Sequence, residues 1–175
     1  MNRPLVVLTV CLGNICRSPT AAAAIVEAAA ASNVEVEVRS AGTGGWHVGN
    51  PPDARMRRAA QDAGLELTGL AEQVDAQAID DADLVVVMDR QNLADVEAVA
   101  ASAAVKTPVR LFRTFDPDAD GDLEVPDPYY GGEQGFIDVV GMCRRAAHGV
   151  VAWLDRDPAV GGPTSTDDDA SPNPA

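Results

Sequence analysis

Positive charge is scarce in this sequence. Thirteen Lys and Arg stand against 27 Asp and Glu in 175 residues, a formal balance of −14. So acidic a surface repels phosphate backbones and anionic bilayers alike, which excludes nucleic acid and membrane as main partners. Any anion site must be built locally. Long apolar runs are missing too: no stretch nears the roughly 20 residues of a membrane span. MNRPLVVLTVCLGN has no apolar run leading to a small-residue cleavage site. These absences lead to the expectation of a cytoplasmic protein. Cysteine numbers only three, an odd count that suggests no disulfide framework, so a reducing compartment leaves free thiols. His47 and His148 lack ligand-like spacing to each other or to the cysteines, so no metal site is expected. There is no internal repeat.

What is present suits one domain with a sizeable core. Leu5 to Val10 (LVVLTV) is a continuous apolar, β-branched run, as in a strand buried on both faces of a parallel sheet. A loop follows, then Ser18-Pro19 as an N-cap with proline at the first helical position, then an alanine-rich helix to Ala31. Val34 to Ser40 alternates as a strand should, Pro52 to Ala63 reads as a helix stopped by Gly64, and Leu84 to Met88 is a second buried strand. Arg90 to Ser102 reads as helix, Val109 to Phe112 as a short strand, and Phe136 to Leu154 as a last amphipathic helix. This alternation predicts an α/β domain of three layers, a four-stranded parallel sheet with helices on both faces and ligands at the carboxyl ends of its strands. From Asp155 the composition turns to Pro, Gly, Asp, Ser and Thr, so residues 1–156 are read as the domain and 157–175 as a disordered acidic tail.

The loop Cys11-Leu12-Gly13-Asn14-Ile15-Cys16-Arg17-Ser18 lies where the first strand meets the first helix. A loop closing onto a helix N-terminus turns backbone N–H groups inward and, with the helix dipole, makes an anion site. Phosphate fits it. The nucleotide cradle G-x-x-x-x-G-K-S/T is absent, since Gly13 is the loop's only glycine and no lysine follows. Arg17 offers a planar fork to two phosphate oxygens, and the same positive field favours Cys11 as thiolate. A single cysteine is most often a packed hydrophobe, but Cys11, Arg17 and Ser18 together at a strand end point to chemistry. The loop residues Leu12, Gly13, Asn14, Ile15, Cys16 and Arg17 are thus the candidate phosphate cradle.

C-L-G-N-I-C-R-S-P resembles the signature loop of the low-molecular-weight protein-tyrosine phosphatases. Further on, Ser40-Ala41-Gly42-Thr43 with Trp46, Met88-Asp89 with Asn92, and Asp127-Pro128-Tyr129-Tyr130-Gly131-Gly132 resemble the family's other motifs in order, from about Leu5 to Leu154. The resemblance implies a hydrolase that needs no cofactor: Cys11 attacks phosphorus, Arg17 and the loop amides hold the equatorial oxygens, and Asp127 acts first as acid and then as base. Ser18 is implied to donate to the Cys11 sulfur, with Asn14 and Ser40 keeping the loop's shape. Phosphotyrosine-containing protein is the implied substrate and inorganic phosphate the product and inhibitor. Trp46, Tyr129 and Tyr130 are read as walls stacking on a flat ring, and a tyrosine kinase acting on the two tyrosines is the remaining partner suggested. Cys143 is read as packing, Asp116-Pro117 as a plain turn, and Arg55, Arg57 and Arg58 as a solvated helix face.

Two positions depart from the family pattern. Ala22 stands where a glutamate is usual, and Leu70 where a histidine braces the signature loop, so a loosened loop and a slower enzyme are expected. Rivals on the same fold are weaker. An arsenate reductase needs two more late cysteines and only Cys143 is there, while protein-arginine phosphatases carry threonine where this chain has Ile15. A phosphate- or phosphotyrosine-binding module without turnover fits Leu70 and Ala22 but has no use for Asp127. Cys16, five residues from Cys11, is either packing or a partner that captures oxidised Cys11 as a disulfide.

Overall fold

The computed structural model describes residues 3–156; the 157–175 segment lies outside the described residues. The elements run β1 (Leu5–Cys11), α1 (Arg17–Ser32), β2 (Val36–Gly42), α2 (Ala54–Asp62), α3 (Ala76–Asp80), β3 (Leu84–Val87), α4 (Arg90–Ser102), β4 (Val109–Leu111), a 3-10 turn (Phe112–Phe115) and α5 (Glu133–Arg156). The four strands form one sheet in the order β2-β1-β3-β4, every pair parallel. Helices cover both faces, as the alternation of strands and helices requires.

The apolar strands explain the two cores. Val7, Cys11, Leu84 and Val86 point to the side of α1, α2 and α5, where Ile25, Met56, Phe136 and Val139 meet them. Val6, Leu8, Val10, Val85 and Val87 point the other way, onto Ile79 of α3 and Val96 of α4. A strand whose side chains all find apolar neighbours has no reason to alternate in polarity. Alanines at 21, 24 and 28 let α1 pack closely on α5. Gly149 of α5 allows a similar approach to the 3-10 turn: a β-carbon there would lie 1.9 Å from the Phe115 carbonyl oxygen.

Several boundaries shift from the sequence reading. β2 starts two residues later and runs on to Gly42, the last strand stops at Leu111 before the 3-10 turn, and α5 extends to Glu133 and Arg156. The helix start after the first loop needs a correction of substance. Cys16, not Ser18, is the N-cap of α1, no side chain caps that end, and Pro19 is the third helical residue. The Ser18 hydroxyl is engaged elsewhere, which leaves the first turn without a competing side-chain acceptor.

Asp116-Pro117 is more than a turn. The Asp116 carboxylate is fully buried and paired with Arg113 at 3.3 Å and Arg145 at 3.2 Å, while Arg113 Nη1 also donates to the Glu124 carbonyl at 3.1 Å. Burial opposes the charge on Asp116, yet hydrogen bonds from the Asp118 amide, Arg145 and Arg113 outweigh it and hold the carboxyl below its ordinary value. The cluster ties the irregular segment after the 3-10 turn to α5. Removing one member of a buried pair strands the other, so Asp116→Asn lowers unfolding stability by about 3 kcal/mol at pH 7. Because the folded value is depressed, that contribution is present above the unfolded value near pH 4 and fades as pH falls through the folded one. Denaturant titrations at pH 7 and pH 3 check this, and a gap that stays constant between them rejects it.

Candidate active site

Cys11 ends β1 beside Gly42 of β2 and one residue past the Val10–Val87 pairing with β3. The chain leaves β1 for β2 on one side and later returns to β3 on the other, so the carboxyl ends of β1 and β3 flank the crevice where ligands bind in open α/β sheets. The loop of residues 12–16 turns back over the Cys11 sulfur. The Asn14 amide donates to Cys11 Sγ at 3.2 Å, and Ser18 Oγ lies 3.0 Å from it. Asn14 Nδ2 donates to Ser18 Oγ at 2.8 Å, which leaves the serine proton free to go to sulfur. Two donors thus converge on the sulfur.

Asn14 holds the loop's shape. Its φ of 55° is left-handed, a region asparagine tolerates better than most residues. Its Nδ2 also donates to Ser40 Oγ, and its Oδ1 accepts the Glu72 amide at 2.9 Å. Every polar atom of this buried side chain is satisfied without a histidine, and Leu70 lies exposed nearby. The bracing expected to be lost at Leu70 is therefore carried by the Glu72 backbone. Asn14 was also expected among the phosphate-cradling amides; its N–H goes to sulfur instead and its side chain lies behind the loop. Gly42 is the floor beneath: a β-carbon there would come 2.8 Å from the Leu12 carbonyl oxygen and 3.1 Å from the Asn14 nitrogen.

Arg17 is 3% exposed, a buried guanidinium with three partners. It donates to Asp89 Oδ2 at 2.6 Å and to the Val125 carbonyl at 3.1 Å, and its Nη2 lies 3.7 Å from Asp127 Oδ2. Burial works against its charge, but Cys11, Asp89 and Asp127 outweigh that and keep it raised above the usual arginine value. Asp89 caps α4 through the Asn92 amide at 2.8 Å, so it is fixed before it meets Arg17. Asp127 is 39% exposed in side chain, and its Oδ1 accepts the Tyr129 amide at 3.1 Å. Cys16 lies buried among core residues. Desolvation, with the negative charges of Asp53, Cys11 and Asp127 behind it, pushes its thiol up to about 12.

Cys11, Leu12, Gly13, Ile15, Cys16 and Arg17 form the base of a cleft of about 320 Å³, with Trp46, His47, Asp127, Tyr129 and Tyr130 around it. Tyr129 is half-buried and makes a wall, whereas Tyr130 (93% exposed) and Trp46 (73% exposed) stand out from the rim. Tyr130 meets Tyr129 edge-on with centroids 4.9 Å apart.

A family model described as low molecular weight phosphotyrosine protein phosphatase matches residues 6–160. The chain belongs to that family. A Streptomyces coelicolor relative named low molecular weight protein-tyrosine-phosphatase is 44% identical over 147 residues, 82% of this chain and 89% of its own. The crystal structure of a protein tyrosine phosphatase from Entamoeba histolytica superposes with a TM-score of 0.81 at 29% identity, covering 86% of this chain and 97% of that one. An arginine phosphatase from Drosophila reaches a TM-score of 0.80 at 30% identity, with coverages of 86% and 98%. The phosphatase thus carries its family's four-stranded fold and its reaction class, hydrolysis of a phosphoric monoester through a cysteinyl-phosphate.

Sequence reasoning missed three participants in this phosphatase site. Asp89 was noted as part of a motif but not as the partner of Arg17, because an ion pair 72 residues apart leaves no local pattern. His47, weighed in the sequence only as a metal ligand, lies in the cleft, its ring centroid 6.4 Å from that of Tyr129. Arg55, read as part of a solvated face, donates to the Tyr129 carbonyl at 3.1 Å. Two outcomes follow from the loop geometry. Leu70→His changes kcat/KM for an aryl phosphate by less than about twofold, while Gly42→Ala, which must displace the loop backbone, lowers it more than about tenfold; equal effects would reject the bracing described. Native Cys16 stays unlabelled by iodoacetamide at pH 7 and reacts only after unfolding; an adduct on the folded protein, read by peptide mass, would contradict its burial.

Proposed function

We propose that this phosphatase hydrolyses phosphotyrosine in proteins, with Cys11 as nucleophile, Arg17 as phosphate clamp and Asp127 as general acid and base. The observation that carries the reading is the convergence of the Cys11 sulfur, the pinned Arg17 fork and the Asp127 carboxyl at one cleft with an aromatic wall. The thiolate attacks phosphorus and forms a P–S bond as the P–O bond to the tyrosine ring breaks, and the phenolate oxygen takes a proton from Asp127. Arg17 and the loop amides of residues 12, 13 and 15–17 match the charge spread over the equatorial oxygens. Asp127, now a carboxylate, takes a proton from water as that water attacks phosphorus. The P–S bond breaks, inorganic phosphate leaves, and the Ser18 hydroxyl stabilises the departing thiolate while Asn14 and Ser40 hold the loop.

Substrate choice rests on the walls. Tyr129 and the projecting Trp46 and Tyr130 offer flat apolar surface to a phenyl ring, and Ile15 gives the base of the cleft no hydroxyl for a guanidinium. The Drosophila likeness makes phosphoarginine the reading to test against. Catalysis is assigned to residues 1–156, and the cytoplasm is the compartment proposed because it keeps Cys11 reduced. Among the described residues no helix is long and apolar enough to cross a membrane.

Phosphate release from matched phosphotyrosine, phosphoserine and phosphoarginine peptides tests the assignment. Phosphotyrosine is expected to be cleaved selectively, with Cys11→Ser inactive and Asp127→Asn slowed by about 10² or more. Faster release from phosphoarginine, or none from any peptide with Cys11 intact, overturns it.

A further inference from the structure

Between Asp116 and Gly132 the chain has neither helix nor strand, so Asp127 is positioned by a few anchors rather than by a ladder of backbone bonds. One anchor lies before it: the Val125 amide donates to the Met88 carbonyl at 2.7 Å, and the Val125 carbonyl accepts from Arg17. The other lies after it, at Tyr129. The amide of Tyr129 holds Asp127 Oδ1, and its carbonyl accepts from Arg55 Nη1 at 3.1 Å. We propose that Arg55 is a positioning residue that sets where the general acid stands, an inference that rests on the role of Asp127 proposed above.

Arg55 is built for this. Its Nε and Nη2 grip the two oxygens of Asp53 at 3.1 and 3.0 Å, which leaves Nη1 for Tyr129. Asp53 is itself fixed: it caps α2 by accepting the Arg55 and Met56 amides, and its own amide donates to the Ile15 carbonyl at 2.8 Å. A continuous path of hydrogen bonds therefore runs from the phosphate-binding loop through Asp53 and Arg55 to Tyr129 and the acid. The guanidinium also lies 5.2 Å from the Tyr129 ring centroid and 4.8 Å from that of Phe136, stacking the acid's loop against α5. An exposed Arg–Asp pair alone contributes little. This one differs because its third donor and its flat face both go to the segment that carries the acid, a geometry a lysine cannot reproduce.

Steady-state kinetics of Arg55→Ala, Arg55→Lys, Asp127→Asn and the double variant Arg55→Ala/Asp127→Asn test the tether. Arg55→Ala is expected to lower kcat/KM about tenfold on a phosphotyrosine peptide but only about twofold on p-nitrophenyl phosphate, whose leaving group needs less help from an acid. Arg55→Lys recovers little of the loss. In the Asp127→Asn background, removing Arg55 costs less than about twofold, because the group it positions is gone. Equal losses in both backgrounds, or on both substrates, overturn the proposal. Amide exchange at Tyr129 reads the tether without turnover and should quicken at least about fivefold in Arg55→Ala; an unchanged rate also overturns it. Wild type inactive on every phosphate ester would sink the phosphatase assignment, while exchange would still judge the tether.

Discussion

A guanidinium that is 3% exposed cannot stand alone, and much of the site follows from where Arg17 finds its partners. Burying such a charge costs several kcal/mol unless opposite charge and acceptors meet it. Asp89 comes from the end of β3, the Val125 carbonyl from the segment beyond the 3-10 turn, and Asp127 from two residues further on. Two separated parts of the chain are thus drawn to one side chain. The same pairing aims the arginine: with one nitrogen held by Asp89, the rest of the fork faces the cleft.

The sheet order makes that convergence possible. With β1 between β2 and β3, the loop after β1 has the Gly42 floor on one side and the Asp89 cap on the other. Neither neighbour could be exchanged without loss. A larger residue at 42 would press into the loop, and a neutral one at 89 would leave Arg17 without its closest partner. The mostly apolar cleft lies in a protein with a strong negative balance, so the positive charge at its base is the local contribution of Arg17 and not part of the general field.

Much of this was legible in the sequence. LVVLTV and LVVV declare buried parallel strands by failing to alternate, and Cys11, Arg17 and Asp127 sit in motifs whose order gave the family. Helix starts were less legible: Ser18-Pro19 has the look of a cap, but the helix starts at Arg17 and the Ser18 hydroxyl lies against the Cys11 sulfur instead. Asp116-Pro117 reads as a turn because the arginines that bury its carboxylate include Arg145, which is 29 residues away. Leu70 reads as a lost brace because a side-chain pattern says nothing of a backbone amide such as that of Glu72. What escaped at Asp116 and at Leu70 was a polar contact between distant parts of the chain, set by topology rather than by local propensity.

Cys11, Ile15 and Cys16 belong to the same apolar cluster as Ile25, Phe136 and Val139. The loop after β1 is therefore part of the principal core and not an appendage to it. Freeing the buried side chains of Cys11, Ile15 and Cys16 also disturbs the packing of α1 and α5. The segment that carries Asp127, with neither helix nor strand and few backbone bonds, is joined to the body by side-chain contacts instead, so the two sides of the cleft are held by different kinds of interaction.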